Sequence, residues 1–262
     1  MFYYRGFYIM FLPVFIMILL FFYWPMLGCR YAFTSYVLAN PYYIGIFHFQ
    51  TMLRFDTYFW QAFRNTLVLS IVKLILNTGA AVIISLLLNE ITNMAFKKSV
   101  QTIIYLPHFM SWVVVAAVFK MILSVNSSGV VNGALINMGL IDNPIDFLGS
   151  SKYWTGTFFM MNVWKDTGWQ TIIIMATLVG ISQEIYEAAG IDGAGRWKKM
   201  WYITMPALAN TIITVIILNL AKVLNLFESV FVLQNDAVME KAEVIQTLSL
   251  IHISEPTRPL YI

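Results

Sequence analysis

The chain has 262 residues, 60% of them hydrophobic and only 11% charged, with a formal net charge of +3 at pH 7. An ordinary soluble domain carries roughly 25% charged residues, so a water-facing globule is excluded, and a small charge spread along the chain points to no nucleic-acid partner. The apolar residues run continuously over the ~20 positions that cross a bilayer as helix, which predicts an all-α, polytopic membrane protein and a lipid bilayer as its surroundings.

Five charge-poor stretches predict the spans, in chain order. The first covers 7–27, in a window from Gly6 to Cys29 that holds no charged residue. Cys29 is the only cysteine, so no intrachain disulfide forms. Leu27, Gly28 and Cys29 imitate a lipoprotein cleavage site, but the apolar run exceeds the roughly 7–15 residues of a signal core, and Cys29 reads as a helix-end residue. The second span, 66–88, tolerates Lys73, which is expected to snorkel or pair within the bundle, as is Lys120. The third, 102–123, overlaps the charge-free window Ser99 to Phe119. There His108, after Pro107, reads as a hydrogen-bonded residue at a kink. The fourth, 155–181, carries Lys165 and Asp166 beside Gly168, where a local break would line a cavity. The fifth, 207–233, overlaps the charge-free window Met200 to Ala221.

Basic residues orient these spans. Lys97 and Lys98 lie in the loop 89–101, Arg196, Lys198 and Lys199 in the loop 182–206, and Arg5 ahead of the first span. The longer loops 28–65 and 124–154 hold only Arg30, Arg54, Arg64 and Lys152. The asymmetry places the N-terminus and the 182–206 loop in the cytoplasm.

That loop is the least lipid-like part of the chain. Ser182 is a candidate N-cap, with Glu184 and Glu187 near the positive end of a short helix continuing through Ala188 and Ala189. Gly190, Gly193 and Gly195 permit sharp turns, and Pro206 suits the first turn of the following span. GIDGAG lacks the strand before it and the GK[ST] signature of a phosphate-binding loop. The three basic residues fit the positive-inside rule, whereas the alanine and glycine half of the loop has no such default explanation.

Glu187, Ala188, Ala189, then Gly193, then Ile203, Met205 and Pro206 keep every spacing of EAA, three residues, G, nine residues and I-x-L-P. This resembles the cytoplasmic motif of binding-protein-dependent ABC importer permeases, with methionine in place of leucine at 205, a swap of similar volume. The stretches RNTLVLSIVKLI (64–75), LLLNEI (86–91), QTIIYLPHFMSWVVVA (101–116), DGAGRWKKMWYITMPAL and FESVFVL (227–233) are similar to the carbohydrate branch of that family, in particular its polysaccharide permeases. The resemblance covers a permease domain over 7–247. It implies a multi-pass protein of a bacterial cell membrane and a second permease subunit to complete the channel. It also implies cytoplasmic ATPase subunits and an extracellular or periplasmic sugar-binding protein. The chain itself would bind no cofactor, since ATP would be bound by the partner ATPase. Glu187, Ala188, Ala189, Asp192, Gly193 and Pro206 would then form the docking surface that carries ATPase closure to the helices.

Asn219, Lys222 and Asn225 recur every three residues in the fifth span, near one helical face, with Glu228 nearby. Amide and ammonium groups suit sugar hydroxyls, and Trp164 and Trp169 could stack on sugar faces; contacts to a partner permease are the equal alternative. No catalytic constellation and no metal-ligand cluster stands out, so no enzyme activity is expected. The rival class is an ATP-independent secondary transporter or channel, which an inverted repeat with paired broken helices would favour. After Thr247 the resemblance stops. Residues 248–262, LSLIHISEPTRPLYI, look like a translated sequencing adapter, a non-native tail standing where a sixth span is expected.

Overall fold

The computed structural model describes residues 4–35, 42–126 and 129–254, and nearly all of them are helical. Chain contacts divide it into two compact units, the first ending at Trp60 and the second beginning at Gln61. In the first unit, α1 (Arg5–Phe33) is an apolar helix of 29 residues. A two-stranded antiparallel ribbon follows, pairing Thr34 with Tyr43 and Ser35 with Tyr42, and then α2 (Phe47–Phe55). The next helix, α3 (Thr57–Asn89), leads into the second unit.

Side chains satisfy orphan backbone groups at the start of some of the helices that follow. Asn93 accepts hydrogen bonds from the amides of Ala95 and Phe96 at 3.0 and 3.1 Å, opening α4 (Met94–Phe109). The remaining elements are α5 (Trp112–Ile122), α6 (Val130–Asn137), α7 (Ser151–Val179), α8 (Gln183–Ile191), α9 (Arg196–Leu220), α10 (Phe227–Phe231), α11 (Met239–Ala242) and α12 (Ile245–Ser254).

Among the described residues three helices, α1, α3 and α9, are long and apolar enough to cross a membrane. The count becomes five if the bent pairs α4 with α5 (107°) and α7 with α8 (66°) each form one span. Five spans agree with the sequence, but their ends and continuity differ. The second begins at Thr57 rather than 66. The third is broken at Met110 and Ser111 instead of merely kinked. The fourth is not interrupted: α7 runs unbroken through Lys165, Asp166 and Gly168. The fifth starts at Arg196 and ends at Leu220, so Lys222 and Asn225 lie in the turns beyond it and share no helical face with Asn219. Of the predicted tail, α12 covers the first residues, and 255–262 lie outside the described residues.

Pro206 stands in the first turn of the α-helical segment Met205–Leu220, as expected, but that segment continues α9 from a π-helical turn, Met200–Thr204, instead of opening a new helix. The same arrangement occurs in α1, where the π turn Leu19–Tyr23 precedes Pro25. Proline has no amide proton, and its ring collides with the carbonyl four residues back. A wider turn just ahead moves that carbonyl away and lets the helix continue.

The second unit has two apolar clusters separated along its long helices. One joins Leu69 of α3 to Trp154, Phe158 and Met161 of α7 with Trp112, Val115 and Val230. The other joins Ala81 and Leu88 to Ile174, Met175, Leu178 and Leu208. Between them, on both helices, the inward residues are polar.

Candidate functional site

The polar level lies at the middle of the two longest helices of this unit. Lys73 is the central residue of the 33-residue α3, and Lys165 is the central residue of the 29-residue α7. At about 1.5 Å per residue each stands more than about 20 Å from either helix end. Charge at that depth costs at least several kcal/mol unless it is answered. It is answered here: Lys73 Nζ lies 3.2 Å from Asp166 Oδ2, and Lys165 Nζ lies 3.8 Å from Oδ1. The sequence expectation that Lys73 pairs within the bundle therefore holds, and Asp166 is its partner. Lys120, by contrast, is exposed.

The break between α4 and α5 packs against this level. A helix cannot be broken at membrane depth unless the freed backbone groups find partners. Lys165 Nζ donates to the His108 carbonyl at 3.1 Å and sits 5.4 Å from the centre of the Trp112 ring. On the other side of the break, Ser111 Oγ accepts from the Val114 amide at 3.3 Å, capping α5. Close approach is allowed by Gly168, where any Cβ would overlap the carbonyl of Ile104. Gly168 thus serves helix crossing rather than the break in α7 that its neighbourhood suggests.

These groups surround a cavity of about 390 Å³, within the roughly 300–1,000 Å³ of small-molecule sites. Its walls bring together Ser70, Lys73 and Asn77 of α3, His108 at the break, and Asp166, Trp169 and Gln170 of α7. Asn219, Lys222 and Asn225 complete it. The three residues singled out in the fifth span therefore do converge, through a turn at the end of α9 instead of a helical face. Their partners differ. Asn219 Nδ2 donates to the Val215 carbonyl at 2.7 Å, and Asn225 Oδ1 accepts from Gln246 at 3.5 Å. No carboxylate pairs with Lys222 among the described residues. The buried acceptors Asn77 Oδ1 and Gln170 Oε1 have no hydrogen-bond partner. Trp169 stacks on His108 with ring centres 5.3 Å apart, whereas Trp164 packs edge-on against Phe119 and takes no part in the cavity. Ser70, whose Oγ donates to the Val223 carbonyl, Asn77 and Gln170 carried no signal in the sequence beyond being lone polar residues in apolar runs.

The predicted contact loop is built differently, from local bonds. Ser182 Oγ accepts the Glu184 amide at 3.3 Å and starts α8, none of whose residues is buried. The helix ends in a Schellman motif: the Gly193 amide donates to Gly190 O at 3.1 Å and the Ala194 amide to Ala189 O at 2.8 Å. That closure needs a left-handed residue after the cap, and Gly193 has φ +75°. Gly190 stays within the helix. Glu187, Ala188, Asp192 and Gly193 are exposed and Ala189 is half-buried, while Pro206 stands apart from them, exposed on α9. Tyr186 ties α8 to α9 by a 2.8 Å hydrogen bond with Thr204 Oγ1. Arg196, Lys198 and Lys199 occupy the first turn of α9, where the helix dipole disfavours cations, so helix stability does not account for them. Arg196 reaches Glu90 at 4.0 Å.

Residues 77–234 match the family described as binding-protein-dependent transport system inner membrane component. Protein LplB of Bacillus subtilis (strain 168) is 36% identical over 251 residues, covering 93% of this chain and 77% of that protein. The polygalacturonan/rhamnogalacturonan transport system permease protein YteP of the same organism is 37% identical over 245 residues, covering 92% and 75%. Among solved structures, the chain superposes with a TM-score of 0.87 and 33% identity on a bacterial ABC transporter involved in the import of the acidic polysaccharide alginate, covering 97% of this chain and 86% of that one. A second structure of a bacterial alginate ABC transporter, in complex with an alginate pentasaccharide-bound periplasmic protein, gives 0.88 and 34%. The chain belongs to the family of binding-protein-dependent transport system inner membrane components, and is a multi-pass ABC transporter permease whose relatives are sugar permeases.

Proposed function

We propose that the chain is one half of the membrane channel of an ATP-driven oligosaccharide importer, and that the helix α8 with its Schellman turn is the point at which a cytoplasmic ATPase grips it. The observation that carries the reading is that Glu187, Ala188, Ala189 and Gly193, which keep the family spacing, lie on a short, locally closed helix with no buried residue. Such a helix has little reason to be rigid for the sake of this chain's own core. Fixed by its cap, its turn and the Tyr186 hydrogen bond, it transmits a push from a partner to α7 and α9 as a rigid body.

In this reading the N-terminus and the 182–206 loop face the cytoplasm. A second permease completes the channel, a binding protein outside the membrane delivers the sugar, and ATP is bound by the ATPase alone. The polar cavity is the part of the sugar path that this chain contributes. Asn77, Gln170, Asn219 and Asn225 offer groups for hydroxyls, and Trp169 offers an aromatic face.

The test is ATP-dependent sugar uptake by proteoliposomes holding the complete importer. A Cβ at Gly193 meets nothing within this chain, so the expected result for Gly193→Asp is loss of uptake with membrane insertion intact. Gly193→Asn, which tolerates the left-handed backbone without adding charge, is expected to keep a larger share of it. Undiminished uptake by Gly193→Asp would overturn the docking assignment.

A further inference from the structure

Resting on the assignment of α8 as the docking helix, we propose that Pro206 is a positioning residue for the coupling step. Together with the π turn ahead of it, it holds one extra residue in α9 and so fixes the rotation at which the loop presents α8. Pro206 keeps the spacing of the motif but stands apart from the exposed residues of α8, so contact with a docked partner does not explain it.

The register of α9 carries the argument. Beyond the turn, one stripe faces inward: Thr204, Leu208 and Val215 are buried, and Thr211 shares a 2.8 Å hydrogen bond with Thr177 of α7. Continued backwards at the same helical spacing, the stripe passes through Trp201 and Trp197. An evenly wound helix would therefore turn both tryptophans inward with Thr204. They are instead 59% and 74% exposed, and the inward places ahead of Thr204 are taken by the half-buried Lys199 and Met200.

The π turn accounts for the difference. The Met205 amide donates to the Met200 carbonyl, five residues back, so the turn holds one residue more than an α turn and rotates the base of the helix by about 100°. That rotation lays Lys199 against α8, where a Cβ on Gly190 would stand 3.0 Å from its ammonium. Pro206 bars even winding, since it has no amide to donate to the Tyr202 carbonyl and its ring collides with that group. Pro13 of α1 lies in evenly wound helix, so a proline alone does not widen a turn. Thr204 completes this one, donating to the Lys199 carbonyl at 3.4 Å while bonded to Tyr186 of α8. With alanine at 206 the regular hydrogen bond becomes available, and even winding also buries the two tryptophans, so the base of α9 turns.

Three variants of the complete importer in proteoliposomes separate rotation from mere disturbance: Pro206→Ala, the same with Tyr202 deleted, and the same with Ile213 deleted. Tyr202 lies in the turn and Ile213 beyond it, and both side chains are exposed. The probes are tetramers of galacturonate and of mannuronate, and maltotetraose. Sugar moved per ATP is expected to fall about fivefold with Pro206→Ala, to return to within about twofold of the parent when Tyr202 is also removed, and not to return when Ile213 is removed. A nitroxide on Trp201→Cys, in a chain with Cys29→Ser, reads the register itself: mobile in the parent, immobilised by Pro206→Ala, and mobile again once Tyr202 is gone. The proposal is overturned if Pro206→Ala leaves either the sugar moved per ATP or the label unchanged, or if deleting Tyr202 is as damaging as deleting Ile213. Undiminished uptake by Gly193→Asp would instead sink the docking reading on which the proposal rests.

Discussion

The cavity between the apolar clusters and the loop carrying α8 hold charge in opposite ways. In the cavity, Lys73, Lys165 and Asp166 form one mutually answering set in the middle of the two long helices. At the loop, Arg196 meets Glu90, which follows α3, only at 4.0 Å, with side chains 91% and 61% exposed. The first arrangement is forced by depth, since an unanswered charge at the centre of a span is costly. Water removes that constraint from the second, so its charges are free to serve a partner. The loop owes its shape to backbone hydrogen bonds at its two ends, the cavity to side chains from elements far apart in sequence.

The comparison predicts that substitutions at the cavity level damage the protein itself, whereas those in the loop damage only what it does. The largest effect is expected at Gly168. Leucine there would press four carbons into the Ile104 carbonyl and the Tyr105 backbone, and backbone cannot yield as a flexible side chain does. A destabilisation of about 3 kcal/mol is expected, read as a lower thermal midpoint in detergent with reduced yield of folded protein. A midpoint equal to the parent's would mean that α7 and the break in the third span do not cross this closely.

Next comes Asp166→Asn, which leaves Lys73 and Lys165 facing each other with no acid between them. The carboxylate is part-exposed to the cavity, so the cost is placed at about 1–2 kcal/mol, below the roughly 3–5 of a fully buried pair. Replacing Lys73 by methionine in the same chain removes one of the stranded cations and should return part of the loss, which a double-mutant cycle on thermal midpoints would measure. Strictly additive losses would show that the two residues are not partners.

The same contrast explains what the sequence made legible. The loop's features are local: the Ser182 cap, the helix after it and the Gly193 turn each depend on residues within six positions, and all could be read along the chain. The cavity depends on distance in space. Asn219, Lys222 and Asn225 were found by a three-residue recurrence, yet α9 ends at Leu220 and a turn brings them together. Asn77 and Gln170 were missed because a lone amide in an apolar run has no local signature; only packing shows that both point into one space. What pairs the charges is depth, which the helix bounds of the structure reveal and the spans read from the sequence do not. Lys73 and the Lys165–Asp166 pair lie at the midpoints of their helices, so opposite charges at equal depth identify each other. The break after Phe109 also had a marker, Ser111 before an apolar run, but Pro107 drew the reading toward a kink.

Tyr186→Phe removes one hydrogen bond, the 2.8 Å link to Thr204, and deletes no apolar contact. About 1 kcal/mol is expected, small beside the cavity substitutions, but spent at the joint between α8 and α9. If the loop acts as a rigid lever, the variant should hydrolyse ATP in the assembled importer at near-parental rate while moving less sugar per ATP. Equal stoichiometry with a slightly lowered thermal midpoint would reduce the bond to ordinary packing.

Arg196→Ala is expected to change stability by no more than about 0.5 kcal/mol, since the Glu90 contact is long and exposed. That small number makes it the sharpest test of the comparison. Three cations stand in the first turn of α9, where the helix dipole disfavours them, so removing one should stabilise the isolated helix slightly if no partner needs it. If instead they serve a cytoplasmic surface, Arg196→Ala should leave the thermal midpoint of the chain alone and weaken copurification of the ATPase at low salt, the difference from the parent narrowing as salt is raised. A destabilised chain with unchanged ATPase binding would assign these charges to the fold and erase the distinction between the two regions.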